Sequence, residues 1–358
     1  MKFKYIDALR GLAIFLVMIV HTSQYCEKSH NEIFNSFFKF GAKGVQLFFL
    51  ASAFTLFLSY NNRNRQENKN SLRDFYIRRF FRIAPMYYIG IIFFSLQNQN
   101  GILDTSTNNL LNILSNILFI HGISPYWINN LVPGGWSITV EVFFYIILPL
   151  LITIIKNLNQ AVIFTLISFI VSMIFRLLLQ KIQLIDSLAL WTEFSYYNFI
   201  TQLPAFGLGI ISYFLIVKKD FEIAPINTLI IFFIVTSHFI WGKIIPNFIL
   251  IGICFLILIY ILSLKEYKIF VNKFTLFLGK ISYSAYLVHF GVLLWLDKNT
   301  TLNYFIKEYS NNYFLLNFIL RLFLVIFITT IIAYVFFKII EIPFQKLGRK
   351  IIEDLNKT

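Results

Sequence analysis

Cysteine and charged residues are scarce in this 358-residue chain, and each scarcity excludes a class of function. The two cysteines, Cys26 and Cys254, form neither a CxxC pair nor a disulfide framework, and the five histidines show no metal-type spacing with carboxylates. The sequence therefore gives no support to redox or zinc chemistry, and we expect no metal. Charged residues make up 13% of the chain and hydrophobic residues 58%, a balance that is unusual for a soluble domain.

Two further absences narrow the class of protein. No small-x-small cleavage site follows the first apolar run, so we expect this segment to be retained as a signal-anchor helix. The sequence offers no basic, aromatic-interleaved soluble surface, so we expect no nucleic-acid partner despite the net charge of +14.

Long apolar runs fill the chain from end to end. Windows of about 18–22 residues predict an all-α integral membrane protein with about ten transmembrane helices. The ten windows cover residues 8–25, 43–60, 80–97, 139–155, 160–178, 196–217, 225–241, 247–264, 281–296 and 313–338. A shorter run at 110–120 predicts an interfacial or re-entrant helix. We divide the chain into a transmembrane domain over residues 1–345 and a short basic cytoplasmic tail over residues 346–358.

Basic residues are distributed unevenly between the two sides that this topology creates. Most of the 31 lysines and arginines fall on the side that carries both chain termini. The positive-inside rule then places both termini in the cytoplasm. The positive net charge is therefore mainly a topology signal.

The first apolar run carries two side chains that are expensive inside a bilayer, Arg10 and His21. Eleven residues of helix turn through about 1100°, so the two share one face, about 16 Å apart along the axis. Asp7 precedes Arg10 by three residues and can pair with it. His21 could act as a general base, because a free imidazole titrates near working pH. Alternatively, Arg10 is a topogenic charge that snorkels to the interface and His21 is an interfacial residue.

A second basic group lies where the third span starts on the cytoplasmic side. Arg79 and Arg82 are one helical turn apart, so their guanidinium groups could converge on one phosphate or diphosphate. The alternative is a positive-inside anchor for the span.

The segment 134–141 opens the fourth span from the outer face. Ser137 is predicted to cap the helix, and a carboxylate at Glu141 in the first turn is favoured by the helix dipole. A functional interpretation puts Glu141 at the membrane depth of His21, where it could orient the imidazole or hold a substrate hydroxyl.

The ninth and tenth spans carry further polar residues. Ser282, Tyr286 and His289 fall on one helical face, where polar side chains often join helices. Glu341 is predicted to end the last span and to contact the basic cytoplasmic side. We interpret Arg321 as an interfacial residue.

Taken in their order along the chain, these motifs resemble the acyltransferase family 3 membrane proteins, which include O-acyltransferases of bacterial O-antigen and other surface glycans. The motifs that carry the resemblance are Arg10 with His21, Arg79-x-x-Arg82 before Ile83-Ala84-Pro85, Trp136-Ser137 with Glu141, and Ser282-Tyr283 through Tyr286-Leu287 to His289. The resemblance covers residues 5 to about 345.

This resemblance implies a multi-pass enzyme of the bacterial inner membrane, surrounded by membrane lipid. It implies transfer of an acyl group, usually acetyl, from cytoplasmic acyl-CoA to a hydroxyl of a surface glycan such as lipopolysaccharide or of an undecaprenyl-linked sugar. Arg10 and His21 would be essential to transfer, Arg79 and Arg82 would handle acyl-CoA together with Arg10, and Glu141 would join the catalytic motif in an undecided role. The positions that would support substrate or structure are Asp7, Trp136, Ser137, Tyr286 and His289.

Two other classes of protein stay open at this point. A transporter or flippase for a lipid-linked sugar or small anion would also use intramembrane Arg and His residues, although the sequence has no paired repeat. A non-enzymatic subunit of a polysaccharide export system would tolerate the loss of His21. The sequence predicts no particular oligomeric state.

Overall fold

The computed structural model describes residues 3–25, 32–64, 71–97, 110–221, 247–298 and 314–357. Within these ranges the chain is helical and contains no β-strand, which confirms the predicted all-α class. The α-helices, numbered here in chain order, are α1 (Lys4–Gln24), α2 (Glu32–Phe40), α3 (Gly44–Asn64), α4 (Ser71–Gln97), α5 (Leu110–Ile117), α6 (Gly135–Ile154), α7 (Leu158–Lys181), α8 (Leu188–Tyr197), α9 (Phe199–Tyr213), α10 (Asn247–Leu264), α11 (Lys273–Lys280), α12 (Ser282–Lys298), α13 (Phe314–Phe336) and α14 (Ile342–Leu355).

Membrane-crossing length is reached by seven helical stretches of the described residues, and by an eighth if the bent pair α11 and α12 counts as one span. The chain is therefore a multi-pass membrane protein. The apolar helix Ile249–Leu264 is shorter than these spans, and the predicted window 225–241 lies outside the described residues. The count of ten spans and the side of the termini stay predictions.

One compact unit comprises Met1–Val45, Ile77–Gln97 and Tyr267–Thr358. In it, α1 packs against α11, α12 and α13. The backbones of α1 and α11 lie in direct contact, because a Cβ at Gly11 would be 1.9 Å from the Thr275 carbonyl oxygen. A Cβ at Gly279 would be 1.8 Å from the Asp7 carbonyl oxygen. Small residues permit such close crossings in membrane proteins, and this crossing holds α1 in place.

The start of α11 is built by a capping box. The Asn272 side chain accepts a hydrogen bond from the Thr275 backbone N–H at 3.0 Å, and the Thr275 hydroxyl oxygen accepts one from the Asn272 N–H at 3.1 Å. These bonds satisfy two N–H groups that a helix start would leave unpaired. The cap therefore fixes the turn of α11 whose Thr275 carbonyl meets Gly11.

A bend of 83° separates α11 from α12. Ile281 interrupts the helix with φ −99° and ψ 8°, so the predicted window 281–296 is only the second arm of a broken pair. The bend makes Ser282 the first residue of a new helix, which runs on to Lys298.

The helix of the last predicted span continues further along the chain than the predicted window 313–338. A π-helical segment, Phe337–Glu341, follows α13 and leads directly into α14. Pro343 is tolerated there because it lies in the first turn of α14, where its missing N–H would have no helical acceptor. The prediction that Glu341 ends the helix is wrong, and the predicted tail 346–358 is helical up to Leu355.

The second compact unit comprises Gln46–Tyr76 and Asn98–Glu266. Its helices α7 and α9 pack closely, and a Cβ at Gly207 of α9 would lie 2.6 Å from the Thr165 hydroxyl of α7. The Gln46 amide donates to the Gln202 side-chain oxygen at 3.0 Å and to the Tyr196 hydroxyl at 3.1 Å. This buried polar network joins α3, α8 and α9 around the helix that carries Glu141, since α6 also packs on α9.

Candidate functional site

Arg10 and His21 lie on one uninterrupted helix, α1. A rise of about 1.5 Å per residue separates their positions by about 16 Å along the helix axis. Both side chains are half-buried in the first compact unit. Any chemistry they share must therefore extend along the length of α1.

His21 meets a second histidine, His289 of α12. The Nδ1 atom of His21 lies 2.9 Å from Nε2 of His289, and the two rings stack with centroids 5.1 Å apart. Phe290 packs its ring 4.4 Å from the His21 ring. His289 is fully buried, whereas His21 is partly exposed. The pair therefore has a fully enclosed inner member, His289, and an outer member, His21, that keeps some exposed surface.

Hydrogen bonding assigns the protons of this pair. Nδ1 of His289 lies 3.2 Å from the Ala285 carbonyl oxygen, which can only accept, so this Nδ1 is the donor. In a neutral imidazole the other nitrogen is then an acceptor, so His21 Nδ1 donates to His289 Nε2. The lone pair of His21 is left on its Nε2 atom. An imidazole held through Nδ1 with Nε2 bare suits a general base or a nucleophile.

A charged cluster surrounds the buried carboxylate of Glu341. Oε1 of Glu341 accepts hydrogen bonds from the Ser284 backbone N–H at 3.0 Å and from the Ser284 hydroxyl. Arg82 of α4 and Arg10 of α1 both interact electrostatically with this carboxylate. A buried carboxylate needs such partners. Glu341 therefore brings together two of the arginines that the sequence singled out.

The α4 helix carries Arg79 and Arg82 with helical spacing, and both side chains are half-buried. Next to Arg82, the Ile83 carbonyl oxygen accepts a hydrogen bond from the Tyr283 hydroxyl of α12 at 2.7 Å. This bond holds α4 against the helix that carries Ser284. The position of Arg82 is thereby tied to the helix that supplies His289.

Glu141 lies in the second compact unit, on α6. Its Oε1 atom accepts from the Ser52 hydroxyl at 2.6 Å and from the Tyr145 hydroxyl at 2.5 Å. Its other oxygen makes no hydrogen bond to any described residue. Glu141 is thus an oriented, half-buried carboxylate with one oxygen still able to accept.

The start of α6 differs from the predicted one. Gly134 adopts φ 75°, a left-handed conformation that glycine adopts readily, and the helix begins at Gly135. The Ser137 hydroxyl donates to the Gly134 carbonyl at 2.9 Å and makes no cap. Ser137 is not the N-cap, and Glu141 falls in the second turn, beyond the first-turn position expected from the helix dipole.

Two predicted supporting residues are packing groups. Trp136 is buried and stacks on Tyr197, with centroids 4.4 Å apart and planes 19° apart. Tyr286 is buried with its ring centroid 5.8 Å from that of His289. Each ring limits the freedom of a segment that carries a candidate site residue.

The predicted site residues divide between the two compact units. The first contains Asp7, Arg10, His21, Arg79, Arg82, Tyr286 and His289, and the second contains Trp136, Ser137 and Glu141. Sequence reasoning missed the His21–His289 pair and the Ser284–Glu341 bond, although the spacing of Ser282, Tyr286 and His289 did indicate one buried face. Among the described residues, no cluster of three metal-ligating side chains occurs.

His121, for which the sequence suggests no partner, anchors the segment before α6. It is 1% exposed, and its Nε2 donates to the Gly135 carbonyl at 3.1 Å. It lies outside the candidate membrane spans. Burial lowers the pKa of His121 from 6.5 to about 4, against the smaller opposing effect of hydrogen bonds to Gly135 and Ser115.

This shift predicts acid sensitivity. Between pH 6.5 and about pH 4 the unfolded chain binds a proton at His121 that the folded chain does not. The contribution of neutral His121 to the free energy of unfolding is therefore complete above pH 6.5. As the pH falls towards 4, this free energy decreases by about 3 kcal/mol. Thermal unfolding of the detergent-solubilised protein across this pH range measures the loss, and His121→Gln should flatten it. An identical pH dependence in both proteins contradicts the assignment.

A family model described as an acyltransferase domain matches residues 3–338. Comparisons with curated proteins and with solved structures give no match.

Proposed function

The chain belongs to the acyltransferase 3 family, and we propose that it transfers an acyl group, with acetyl expected, from cytoplasmic acyl-CoA to a hydroxyl of a bacterial surface glycan or an undecaprenyl-linked sugar. The observation that supports this most is the His21–His289 hydrogen bond, because it leaves the Nε2 lone pair of His21 available for chemistry. The expected setting is the bacterial inner membrane.

Arg79 and Arg82 are proposed to bind the phosphates of acyl-CoA, together with Arg10. Guanidinium groups form paired hydrogen bonds to phosphate that a lysine ammonium cannot reproduce. The electrostatic interaction of Arg10 and Arg82 with one carboxylate supports a shared position for these two cations. From there the pantetheine arm would extend along α1, over the roughly 16 Å that separates Arg10 from His21.

In the direct mechanism, Nε2 of His21 removes the proton of the acceptor hydroxyl as its oxygen attacks the thioester carbonyl carbon. The C–S bond then breaks, and the thiolate of CoA receives the proton from the imidazolium. His289 accepts the hydrogen bond from Nδ1 throughout and so stabilises the protonated His21 ring. The products are the O-acyl ester and free CoA.

A two-step mechanism uses the same atom. Nε2 of His21 would attack the thioester, release CoA and carry the acyl group until the acceptor hydroxyl takes it. Rapid quenching of the enzyme with labelled acyl-CoA and no acceptor distinguishes the two mechanisms. Label on His21 supports the two-step mechanism, and its absence supports direct transfer.

Glu141 is proposed as a further residue of the catalytic motif, in an undecided role. Ser52 and Tyr145 both donate to Oε1, so the carboxylate keeps one orientation while Oε2 remains able to accept. Trp136 and Ser137 would position this helix, and Tyr286 would position His289.

Loss of the arginine pair should impair use of the donor. Arg79→Ala and Arg82→Ala are each expected to raise the KM for acyl-CoA by about 10–100-fold. This is the usual effect of losing one hydrogen bond between two charged groups. Initial rates at varied acyl-CoA measure this, and Arg78→Ala in the same basic segment is the matched control. An unchanged acyl-CoA KM in both variants would exclude the phosphate-binding role.

Mass spectrometry of surface glycan tests the function itself. Isogenic strains carrying the wild-type gene, a deletion and His21→Ala are compared, and an ester-sized mass that mild base removes is expected only with the wild type. Equal acylation in all three strains, with a glycan or its lipid-linked precursor on the wrong side of the membrane in the mutants, would support a flippase instead.

A further inference from the structure

Arg321 is a buried arginine that the proposed acyl transfer does not use. It lies on α13 and is 7% exposed, so the protein itself encloses this side chain, while its interfacial depth in the membrane stays a prediction. Phe318, one turn before it, belongs to an apolar cluster with Ile19, and Val325, one turn after it, belongs to another with Val292. A charged guanidinium between two apolar clusters is costly in free energy unless it binds a partner.

Few of the hydrogen-bond donors of this guanidinium have an acceptor among the described residues. Nη1 donates to the carbonyl oxygen of Tyr25, the residue that follows α1. The Nε atom is buried and makes no hydrogen bond within the described part of the chain. A guanidinium has five N–H donors, and the ion pairs found among the described residues do not include Arg321.

Capping of α1 explains only part of this arrangement. A cation at a helix C-terminus is favoured by the helix dipole, and a lysine could supply it from a single donor. The planar fork of arginine suits an oxyanion, which takes two parallel hydrogen bonds. A buried cation with unmet donors is stable when such an anion binds.

The position of Arg321 relates it to the reaction. Tyr25 follows His21 by four residues, about 6 Å along the axis of α1. The guanidinium is therefore held one helical turn beyond His21, on the opposite side of it from Arg10. Under the proposed function this is the side from which the acceptor hydroxyl approaches.

We propose that Arg321 binds an oxyanion of the acceptor, a carboxylate or a phosphate, and that the enzyme therefore acylates an acidic glycan unit. This inference rests on the proposed function. It assigns Arg321 to acceptor selection, separately from the arginines proposed to bind acyl-CoA.

Mapping the ester on wild-type glycan is the first test. The acylated sugar is expected to carry a carboxylate or a phosphate on the same or the adjoining unit, and tandem mass spectrometry distinguishes these sources. An ester on a neutral unit with neutral neighbours overturns the inference while leaving acyl transfer intact. Absence of any ester overturns acyl transfer itself.

Kinetics with glycan from the deletion strain is the second test. Arg321→Gln is expected to raise the acceptor KM by about 10–100-fold with the acyl-CoA KM unchanged, and Arg321→Lys should recover part of the loss.

Where the acceptor is a carboxylate sugar, amidation of its carboxylates should weaken wild-type turnover as much as Arg321→Gln does. Arg176→Gln on α7 is the control. A fall in kcat and thermal stability with an unchanged acceptor KM would assign Arg321 to helix capping alone.

Acidic residues of the chain itself are the remaining partners to test. Glu27 and Glu308 lie outside the described residues, and Asp297 is exposed and interacts electrostatically with Tyr25. Glu27→Gln, Glu308→Gln and Asp297→Asn are expected to leave the acceptor KM unchanged. If one of them reproduces the Arg321→Gln defect, the anion belongs to the chain and the inference is overturned.

Discussion

Replacement of His21 by alanine is expected to lower the rate of acyl transfer by about 10²–10⁴-fold, the usual contribution of a positioned base. The reason is that Nε2 of His21 carries the lone pair in both proposed mechanisms, while its Nδ1 is committed to His289. Initial rates of label transfer from acyl-CoA to glycan in membrane vesicles measure the effect. Ser23→Ala, at the same end of α1, is the matched control and should keep the wild-type rate. A well-expressed His21→Ala enzyme with wild-type turnover would remove the catalytic assignment.

His289 has a different expected profile, because it is fully buried and is proposed to position His21 through their hydrogen bond. His289→Leu removes the acceptor for the His21 Nδ1 proton and should lower kcat and shift its pH profile. His289→Gln offers an amide oxygen to the same proton and should recover part of the rate. Equal defects in the two variants would indicate that His289 serves only packing.

The second large effect is expected at the crossing of α1 and α11. Gly11→Val and Gly279→Val should prevent accumulation of folded protein, because even a Cβ would lie 1.9 Å from the Thr275 carbonyl oxygen or 1.8 Å from that of Asp7. Backbone atoms cannot move aside as the end of a flexible side chain can. A valine at either position therefore requires α1 and α11 to separate. Size-exclusion chromatography in detergent and thermal unfolding measure the outcome.

Gly291→Ala is the control for this steric prediction. Its new Cβ would lie 3.1 Å from the Phe93 ring, a side chain that can shift by a few tenths of an ångström. Gly291→Ala should therefore fold, with a change in Tm much smaller than either valine variant shows. Wild-type Tm values for Gly11→Ala and Gly279→Ala would contradict the close crossing.

Hydropathy predicts the helical class and most of the spans because a bilayer requires long apolar helices. Helical periodicity also places Arg10 and His21 on one face, since that relation depends only on positions along α1. Partners on other helices are beyond such reasoning. His21 and His289 are separated by 268 residues, and periodicity reports which face is polar without reporting which helix it meets.

Local backbone geometry explains the other differences. A glycine at φ 75° starts α6 before Ser137, and a short π segment carries the chain past Glu341 without ending the helix. A π segment changes the angular register of the residues that follow it, so the 3.6-residue period misplaces them. The burial of Arg321 depends on how α13 packs against other helices, which its position along the sequence does not show.

The unit that holds His21 and His289 is assembled from three separated stretches of the chain, since it takes α1 and α2, most of α4, and α11 to α14. Ribosomal synthesis runs from the N-terminus, and domains fold as their residues emerge. The second unit, which ends at Glu266, is therefore complete while His289 is still unsynthesised. Throughout that time His21 is synthesised without its hydrogen-bond partner, so a nascent chain carries the proposed base before the residue that would orient it. Under the proposed mechanism, a chain that stops before His289 should therefore lack a correctly oriented His21.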